Sequence, residues 1–320
     1  MLMAGEFDFI RYIKKSFRLK AIGDDCAILP KDEGSDLIVT ADLLVEDVDF
    51  RLEWASPEDL GHKALSVSLS DIAAMGGTPV WAMLTIGVPG KLWETDFVKR
   101  FYEDWNDLAA EFGVELVGGD ISRSPDRFVV DSIVGGEVPK GKAILRSGAR
   151  PGDAIFVSGS LGGAAGGLKL LNSDARLSDA KEDWQRRLLA RQLRPTPRIE
   201  LGKWLLANSI ASAMIDLSDG LSSDLRHICD ASGVGADLDA SLLPIDEDLK
   251  YLAGSDEILT LALNGGEDFE LLFTVAEEKI FLLENRDVSR IGTVTENVSV
   301  VRLSDGERTV DLQPSGYRHF

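Results

Sequence analysis

The sequence predicts a two-domain α/β protein of the α+β type, and three observations carry that expectation. Its 320 residues are the length of about two domains of ~150 residues each. Short apolar, strand-like runs alternate with amphipathic helical stretches along the whole chain. Between Pro139 and Asp153 the composition shifts to Pro139, Gly141, Gly148, Pro151 and Gly152 interspersed with basic residues. That is a linker, residues 140–153, dividing residues 1–139 from residues 154–320. The strand spacing is too mixed for a simple doubly wound sheet.

The elements follow in order. Phe7, Phe9, Ile10 and Ile13 give Glu6 to Ile13 the spacing of a short amphipathic helix. Apolar and β-branched runs predict strands at Cys26–Leu29 and Leu37–Thr40. Ser56-Pro57-Glu58 starts a helix, with serine at the cap, proline at the first position and an acid in the first turn. That helix turns Leu60, Ala64, Leu65, Ile72 and Met75 inward and stops at Gly76-Gly77. Val80 to Val88 form a buried strand ended by Pro89-Gly90, so the uncharged stretch from Ile72 is helix, turn and strand rather than a membrane span. Thr95 opens the next helix, with Phe97, Phe101, Trp105 and Leu108 on its inner face; strands follow at Val114–Val117 and Phe128–Val134. Beyond the linker, strands are expected at Ile155–Ser158, Ser212–Asp216, Glu270–Val275, Ile291–Val294 and Val298–Leu303. Helices are expected at Trp184–Leu193, Ile199–Asn208 and Ser222–Asp230.

Charge narrows the function. Lys and Arg number 34 against 54 Asp and Glu, a formal net charge of −20. No basic face is available to displace counterions from nucleic acid, and the densest basic pairs are only Lys14-Lys15 and Arg186-Arg187. An anionic ligand would need positive charge from elsewhere, and divalent cations are the obvious source. Cys26 and Cys229 form neither a CxxC motif nor a disulfide framework, and 3 histidines cannot build a zinc site alone. The N-terminus is too acidic, and too short in apolar run, for a signal peptide. A cytoplasmic protein that binds neither nucleic acid nor membrane is expected.

Gly159 to Gly167 follows a strand and precedes a helix, where backbone N–H groups can face an anion. It matches neither common nucleotide-binding glycine motif, and Leu168 stands where a phosphate-binding lysine would be. Tight helix–strand packing is the plainer reading.

The informative feature is a set of aspartates. Asp24 and Asp25 lie in IGDDCAIL, Asp42 in IVTADLLVE, Asp71 in VSLSDIAAMGG, Asp120 in LVGGDIS, and Asp216 and Asp219 in MIDLSDG. For Asp25, Asp42, Asp120 and Asp216, a strand delivers the carboxylate at its edge. Converging strand ends would build the oxygen-ligand site that Mg2+ takes, and the cation would offset the carboxylates' repulsion. Taken singly, each reads equally as a solvated turn residue, Asp24 above all, and Ser218-Asp219 could cap the helix from Ser222. Asp71 differs, because inside an apolar helix an unpaired carboxylate is costly. Glu267-Asp268 follows a Gly-Gly turn and either caps a strand or points into a pocket. Arg146 is a phosphate clamp or an ion-pair partner. Trp105 and Trp184 are read as packing.

The segments GDDCAIL, VSLSDIAAMGGTP, LVGGD, LRPTPRIELG, IDLSDGLSSDL, NGGEDFELLFT and GYRHF occur in this order. Together they resemble the thiamine-monophosphate kinase family, of the superfamily that includes aminoimidazole ribonucleotide synthetase and selenophosphate synthetase. The likeness runs from Gly5 to Phe320. It implies ATP-dependent phosphorylation of thiamine monophosphate to thiamine diphosphate, with several Mg2+ ions between the phosphates. It also implies a homodimer whose N-terminal domains pair strands into a shared barrel. Carried over residue by residue, the metal ligands are Asp25, Thr40, Ala41 through its backbone, Asp42, Asp71, Asp120, Asp216 and Asp219. Gly119, Asp120, Arg146, Ser218 and Tyr102 would meet ATP; Asp49, Glu267 and Tyr317 would line the thiamine end. The stretch Thr40 to Phe50 departs from the family's TTDxLVEGVHF: Ala41 replaces a hydroxyl residue, and Asp49 stands where a histidine meets the substrate. The rivals are a sister enzyme with another substrate and a non-catalytic binding protein, which Asp49 alone favours.

Overall fold

Two sheets share one central helix. The structure, a computed structural model, describes residues 14–16 and 24–317, so the helix expected at Glu6 to Ile13 lies outside the described residues. In the first half, strands β1 (Ala27–Pro30), β2 (Ser35–Val45), β3 (Thr78–Pro89), β4 (Glu115–Ser124) and β5 (Val129–Pro139) form one sheet. Their order is β1-β2-β5-β3-β4, with β3–β4 parallel and the other pairs antiparallel. Helices α1 (Pro57–Ala74) and α2 (Phe97–Glu111) complete this half. Among the described residues the sheet is open, so no barrel closes within one chain.

The period-2 alternation of β3 turns Ala82, Leu84, Ile86 and Val88 inward. Phe101 and Trp105 of α2 are fully buried, and Phe101 meets Phe128 edge-to-face with centroids 5.5 Å apart. The cap read at Ser56 is a full capping box: its hydroxyl accepts the Asp59 N–H at 3.1 Å, and the Asp59 carboxylate accepts the Ser56 N–H at 3.2 Å. β4 runs past the expected Val117 because Gly118, Gly119 and Asp120 continue its pairing with β3.

Residues 140–153 are irregular but held on both sides. The Ile144 N–H donates to the Met75 carbonyl at 3.2 Å, and the Met214 N–H donates to the Leu145 carbonyl at 3.0 Å. The second half contains β6 (Ala154–Ser158), α3 (Gly163–Asn172), α4 (Asp183–Leu193), α5 (Ile199–Ala207), β7 (Ala211–Asp216) and α6 (Leu221–Ser232). It continues with β8 (Gly235–Asp239), α7 (Ser255–Asn264), β9 (Leu271–Val275), β10 (Val288–Thr295), β11 (Val301–Ser304) and β12 (Thr309–Asp311). The second sheet runs β12-β11-β8-β10-β6-β9-β7. The architecture is mixed α/β, as expected. β8, β12 and α7 were not anticipated: β8 reads GADLD, small and acidic, and is a strand because β10 and β11 pair with it on both sides.

Helix α1 joins the halves. It packs on the first sheet and on α2, and it also touches α4, α5 and β7. The approach of α5 is so close that a Cβ on Gly202 would lie 2.1 Å from the Ala73 carbonyl oxygen, which only glycine permits.

Candidate active site

The site grows from α1. Ser66, Ser68 and Ser70 are fully buried there, and a buried hydroxyl requires a partner. Ser66 donates to the Pro195 carbonyl at 3.0 Å, and Ser70 to the Asp216 carboxylate at 2.6 Å. Ser68 lies 2.7 Å from the Asp42 carboxylate and 2.9 Å from the Ser132 carbonyl. The next residue, Asp71, accepts a hydrogen bond from the Thr40 hydroxyl. Two faces of the helix thus work in opposite directions: Ser66 and Ser70 reach the Pro195 turn and the second sheet, while Ser68 and Asp71 reach the first sheet.

Asp25, Asp71 and Asp216 each bring a carboxylate oxygen within 4.8 Å of the others. Asp42 stands close enough to raise the proton affinity of Asp71 and to be raised by Asp25. Burial, then repulsion from Asp25, pushes Asp216 up to about 7. Burial pushes Asp42 up to about 6, against the pull of the Ser68 hydroxyl. Burial, then Asp42 and Asp216, hold Asp71 well above the ordinary carboxylate range.

The expectation that strand edges deliver these groups is corrected in part. Asp25 precedes β1 and Asp216 ends β7, but Asp42 and Asp120 sit inside their strands. Asp42 still reaches the cluster because α1 lies across β2 and supplies Ser68 to it.

Arg146 is the cation at this cluster. Its Nη2 and Nε donate to Asp25 Oδ1 at 2.8 and 3.3 Å. Burial works against its charge, but Asp25, Asp216 and Asp71 outweigh it and hold the guanidinium above its ordinary value. Its backbone N–H donates to Asp24 at 2.7 Å, so Asp24 is a backbone partner rather than the solvated turn residue expected. Asp25 Oδ2 is buried with no hydrogen-bond partner among the described residues. Carboxylate and hydroxyl oxygens, one of them orphaned, are the donor set of a hard divalent cation, and the residues present fit Mg2+. Cys26 beside them is kept a thiol, by burial first and then by the surrounding aspartates, so it is no nucleophile.

Other expected residues stand elsewhere. Asp120 and Gly119 lie on the exposed edge strand β4, and Asp120 belongs to no group of three potential ligands among the described residues. Ala41 is exposed on β2 opposite Ile133. Tyr102 stands on α2, half-buried and edge-on to Phe101 at 5.8 Å. Asp219 forms a second group with Asp224 and His227, whose ligand atoms lie within 4.8 Å of one another. The cap of α6 is not Ser218 or Asp219: Asp224 reaches back to accept the Asp219 and Gly220 N–H groups at 3.1 and 3.0 Å. The Ser218 carbonyl accepts the Glu267 N–H at 2.8 Å.

A second polar region forms around Glu267 and Tyr317. Burial, then Asp49, Glu267 and Asp219, raise the Tyr317 phenol, which places those three acids around it. The Asp49 carboxylate accepts the Val45 N–H at 2.8 Å. Lys63 of α1, which sequence reasoning missed, is buried with its ammonium 2.7 Å from Glu267 Oε1. The signal was available, as a lysine on the core-facing side of a helix needs an acid.

Asp268 caps α3: its carboxylate accepts the Gly162 N–H at 2.6 Å and the Ala164 N–H at 3.0 Å. The chain's own acid therefore occupies the anion position of the Gly159 to Gly167 loop. The glycines serve packing, as Gly167 lies so close to α4 that a Cβ would sit 2.2 Å from the Leu188 carbonyl.

Residues 23–138 match the N-terminal domain of AIR synthase related protein, and residues 150–303 match its C-terminal domain. Thiamine-monophosphate kinase of Bacillus subtilis (strain 168) is 40% identical, covering 98% of this chain and 99% of its own. The Escherichia coli (strain K12) protein of the same name is 39% identical over 100% of this chain and 97% of its own. The solved structure of AaThiL complexed with AMPPCP and TMP superposes with a TM-score of 0.87 at 36% identity, covering 99% of this chain and 97% of that one.

Proposed function

The chain belongs to the thiamine-monophosphate kinase family of AIR synthase related proteins, and from that premise we propose how its own residues carry the family's reaction. It phosphorylates thiamine monophosphate with ATP, giving thiamine diphosphate. The observation that carries this is full-length likeness to thiamine-monophosphate kinases, together with a matching fold solved with an ATP analogue and the substrate.

The nucleophile is a terminal phosphate oxygen of thiamine monophosphate. It attacks the γ-phosphorus of ATP in line; the new P–O bond forms as the bond to the β-phosphate oxygen breaks, and ADP leaves. Because the second ionisation of a phosphate monoester lies near ~6, that oxygen is already anionic and needs no protein base. The chain must instead bring two anions together. Asp25, Asp71 and Asp216, with Asp42 and Thr40 beside them, would form the core of a Mg2+ site; the Ala41 backbone, Asp120 and Asp219, which stand apart from that cluster in the single chain, would be ligands of further Mg2+ ions. Mg2+ held there supplies the positive charge that offsets repulsion between nucleotide and substrate phosphates. Gly119, Asp120, Arg146, Ser218 and Tyr102 meet the nucleotide, with Arg146 as the phosphate clamp. Asp49, Glu267 and Tyr317 line the thiamine end.

Residues 1–139 form the nucleotide- and metal-binding domain, 140–153 the linker and 154–320 the second domain. Leu29, Leu43, Val80, Met83, Val117 and Ile121 are exposed on the open first sheet. A second copy covering them in a dimer-spanning barrel answers both the open edge and the apolar surface. Among the described residues no helix is long and apolar enough to cross a membrane; a cytoplasmic location fits the charge and the unbonded cysteines.

The test is product analysis after mixing the pure protein with ATP, Mg2+ and thiamine monophosphate. Equal amounts of ADP and thiamine diphosphate are expected, lost with EDTA and absent with thiamine as acceptor. ATP binding with no thiamine diphosphate would overturn the reading.

A further inference from the structure

Glu267 is held by the chain at both of its carboxylate oxygens. Lys63 of α1 holds its Oε1, and Gln192 of α4 donates its amide N–H to Oε2. The two donors come from opposite halves of the protein, and Glu267 sits at φ +66, a conformation that is costly for a residue other than glycine. Such strain persists only where the surroundings enforce it. Glu267 is therefore a fixed post, and it fixes Gln192 in turn. A carboxylate can only accept, so the NH2 end of Gln192 must face it, and the carbonyl end points away.

That carbonyl is the unexplained group. Gln192 is 4% exposed, and its Oε1 is buried with no hydrogen-bond partner among the described residues. Leaving a buried acceptor unmade is costly, so such a group calls for a role. Gln192 lines a small, partly open cavity with Asp49, Trp54, Leu60 and Lys63. The cavity measures about 10 Å³, room for a single water-sized body. A primary amino group has that size and is a donor. The aminopyrimidine of thiamine monophosphate carries one, while the rest of the ring can stay outside the cavity.

We propose that Gln192 is a specificity-determining residue whose side-chain carbonyl accepts a hydrogen bond from the pyrimidine amino group of thiamine monophosphate. The proposal rests on the kinase reading above. In it Lys63 and Glu267 are positioning residues: they set the amide, and the amide reads the substrate.

The test compares thiamine monophosphate with its analogue carrying oxygen in place of the pyrimidine amino group. A site built around a hydrogen bond rejects the analogue that lacks it, so the wild-type protein should prefer the amino substrate in kcat/KM by about 100-fold or more. In Gln192→Met, of similar size but without the acceptor, kcat/KM for thiamine monophosphate should fall by about 10- to 100-fold, mostly through KM. KM for ATP and turnover of the analogue should not change, so the preference collapses. Equal losses on both substrates would mean a merely structural residue and would overturn the proposal. So would a preference retained in the variant. A wild-type protein that accepts both substrates equally overturns it even if the variant does not fold, which a melting curve reports. Absence of thiamine diphosphate from the wild-type protein overturns the kinase reading and this inference together; normal turnover with unchanged discrimination overturns this inference alone.

Discussion

Two buried acid groups in this protein solve the same electrostatic problem in opposite ways. Around Glu270 the chain supplies its own counter-charges. Arg198 grips Glu270 with two donors at 2.5 and 2.6 Å, Arg191 adds a third at 2.9 Å, and the Ser158 hydroxyl a fourth at 2.5 Å. Although burial alone would raise it, Arg198 and Arg191 carry Glu270 below its ordinary value. Around Asp216 the chain supplies four carboxylates and one arginine, and burial with mutual repulsion raises Asp42, Asp71 and Asp216. The first group has its counter-charges within the chain, although Arg191 Nε has no partner among the described residues. The second is complete only when something cationic joins it, and that difference separates scaffold from site.

The largest effect should come from breaking the incomplete group. Asp42→Asn keeps shape and packing but removes one hard, charged ligand. Turnover should fall by about a thousandfold, the scale of removing a group that stabilises transition-state charge. The melting temperature of the metal-free protein should hold or rise, because a repelling neighbour of Asp71 has gone. Turnover within tenfold of the wild-type value would remove Asp42 from the metal site.

Breaking the first group should do the reverse. Glu270 is fully buried, and Glu270→Gln leaves Arg191 and Arg198 facing a neutral amide. Removing one partner of a buried ion pair costs about 3–5 kcal/mol, read as a lower denaturation midpoint in urea. The folded fraction should still turn over substrate. Unchanged stability would show that the arginines find water or other acids.

The contrast also marks what could be read from the chain. Helix α1 was legible from end to end, since its serine cap, its first-turn proline, its apolar spacing and its Gly-Gly stop are all local signals. The aspartates were legible as a set, because carboxylates beside glycine or inside apolar runs are out of place one by one. Their partners were not. Ser70 finds Asp216 across 146 residues, and no periodicity announces that pairing. Ser66, Ser68 and Ser70 passed as ordinary helix residues, and Arg146 could be read as clamp or ion pair until Asp25 was seen beside it. Asp120 shows the opposite limit: its motif is plain, yet the single chain leaves it exposed on β4, apart from the other acids. Strands such as β8 escape because their partners, not their own residues, make them strands.

The smallest effect is the sharpest discriminator, because the two groups give stability opposite slopes with pH. Asp42 and Asp216 have folded values of about 6 and about 7 against an ordinary 3.8. Between those values the unfolded chain releases protons that the folded chain must keep, so metal-free stability falls as pH rises from about 4 to about 7. Asp268, pushed up to about 6 by burial, adds to that loss. Glu270, lowered, contributes stability that is present above its ordinary 4.5 and is lost as pH falls. Mg2+ acts on the first pair alone: it binds the ionised carboxylates of the folded state, so its stabilisation grows through the window in which the metal-free protein weakens. Melting curves at pH 5 and pH 7.5, with and without Mg2+, should show a gain of several degrees at the higher pH and little at the lower. The Mg2+-dependent gain should disappear in Asp42→Asn and survive in Glu270→Gln. A gain equal at both pH values would mean that the cation binds somewhere other than these buried carboxylates.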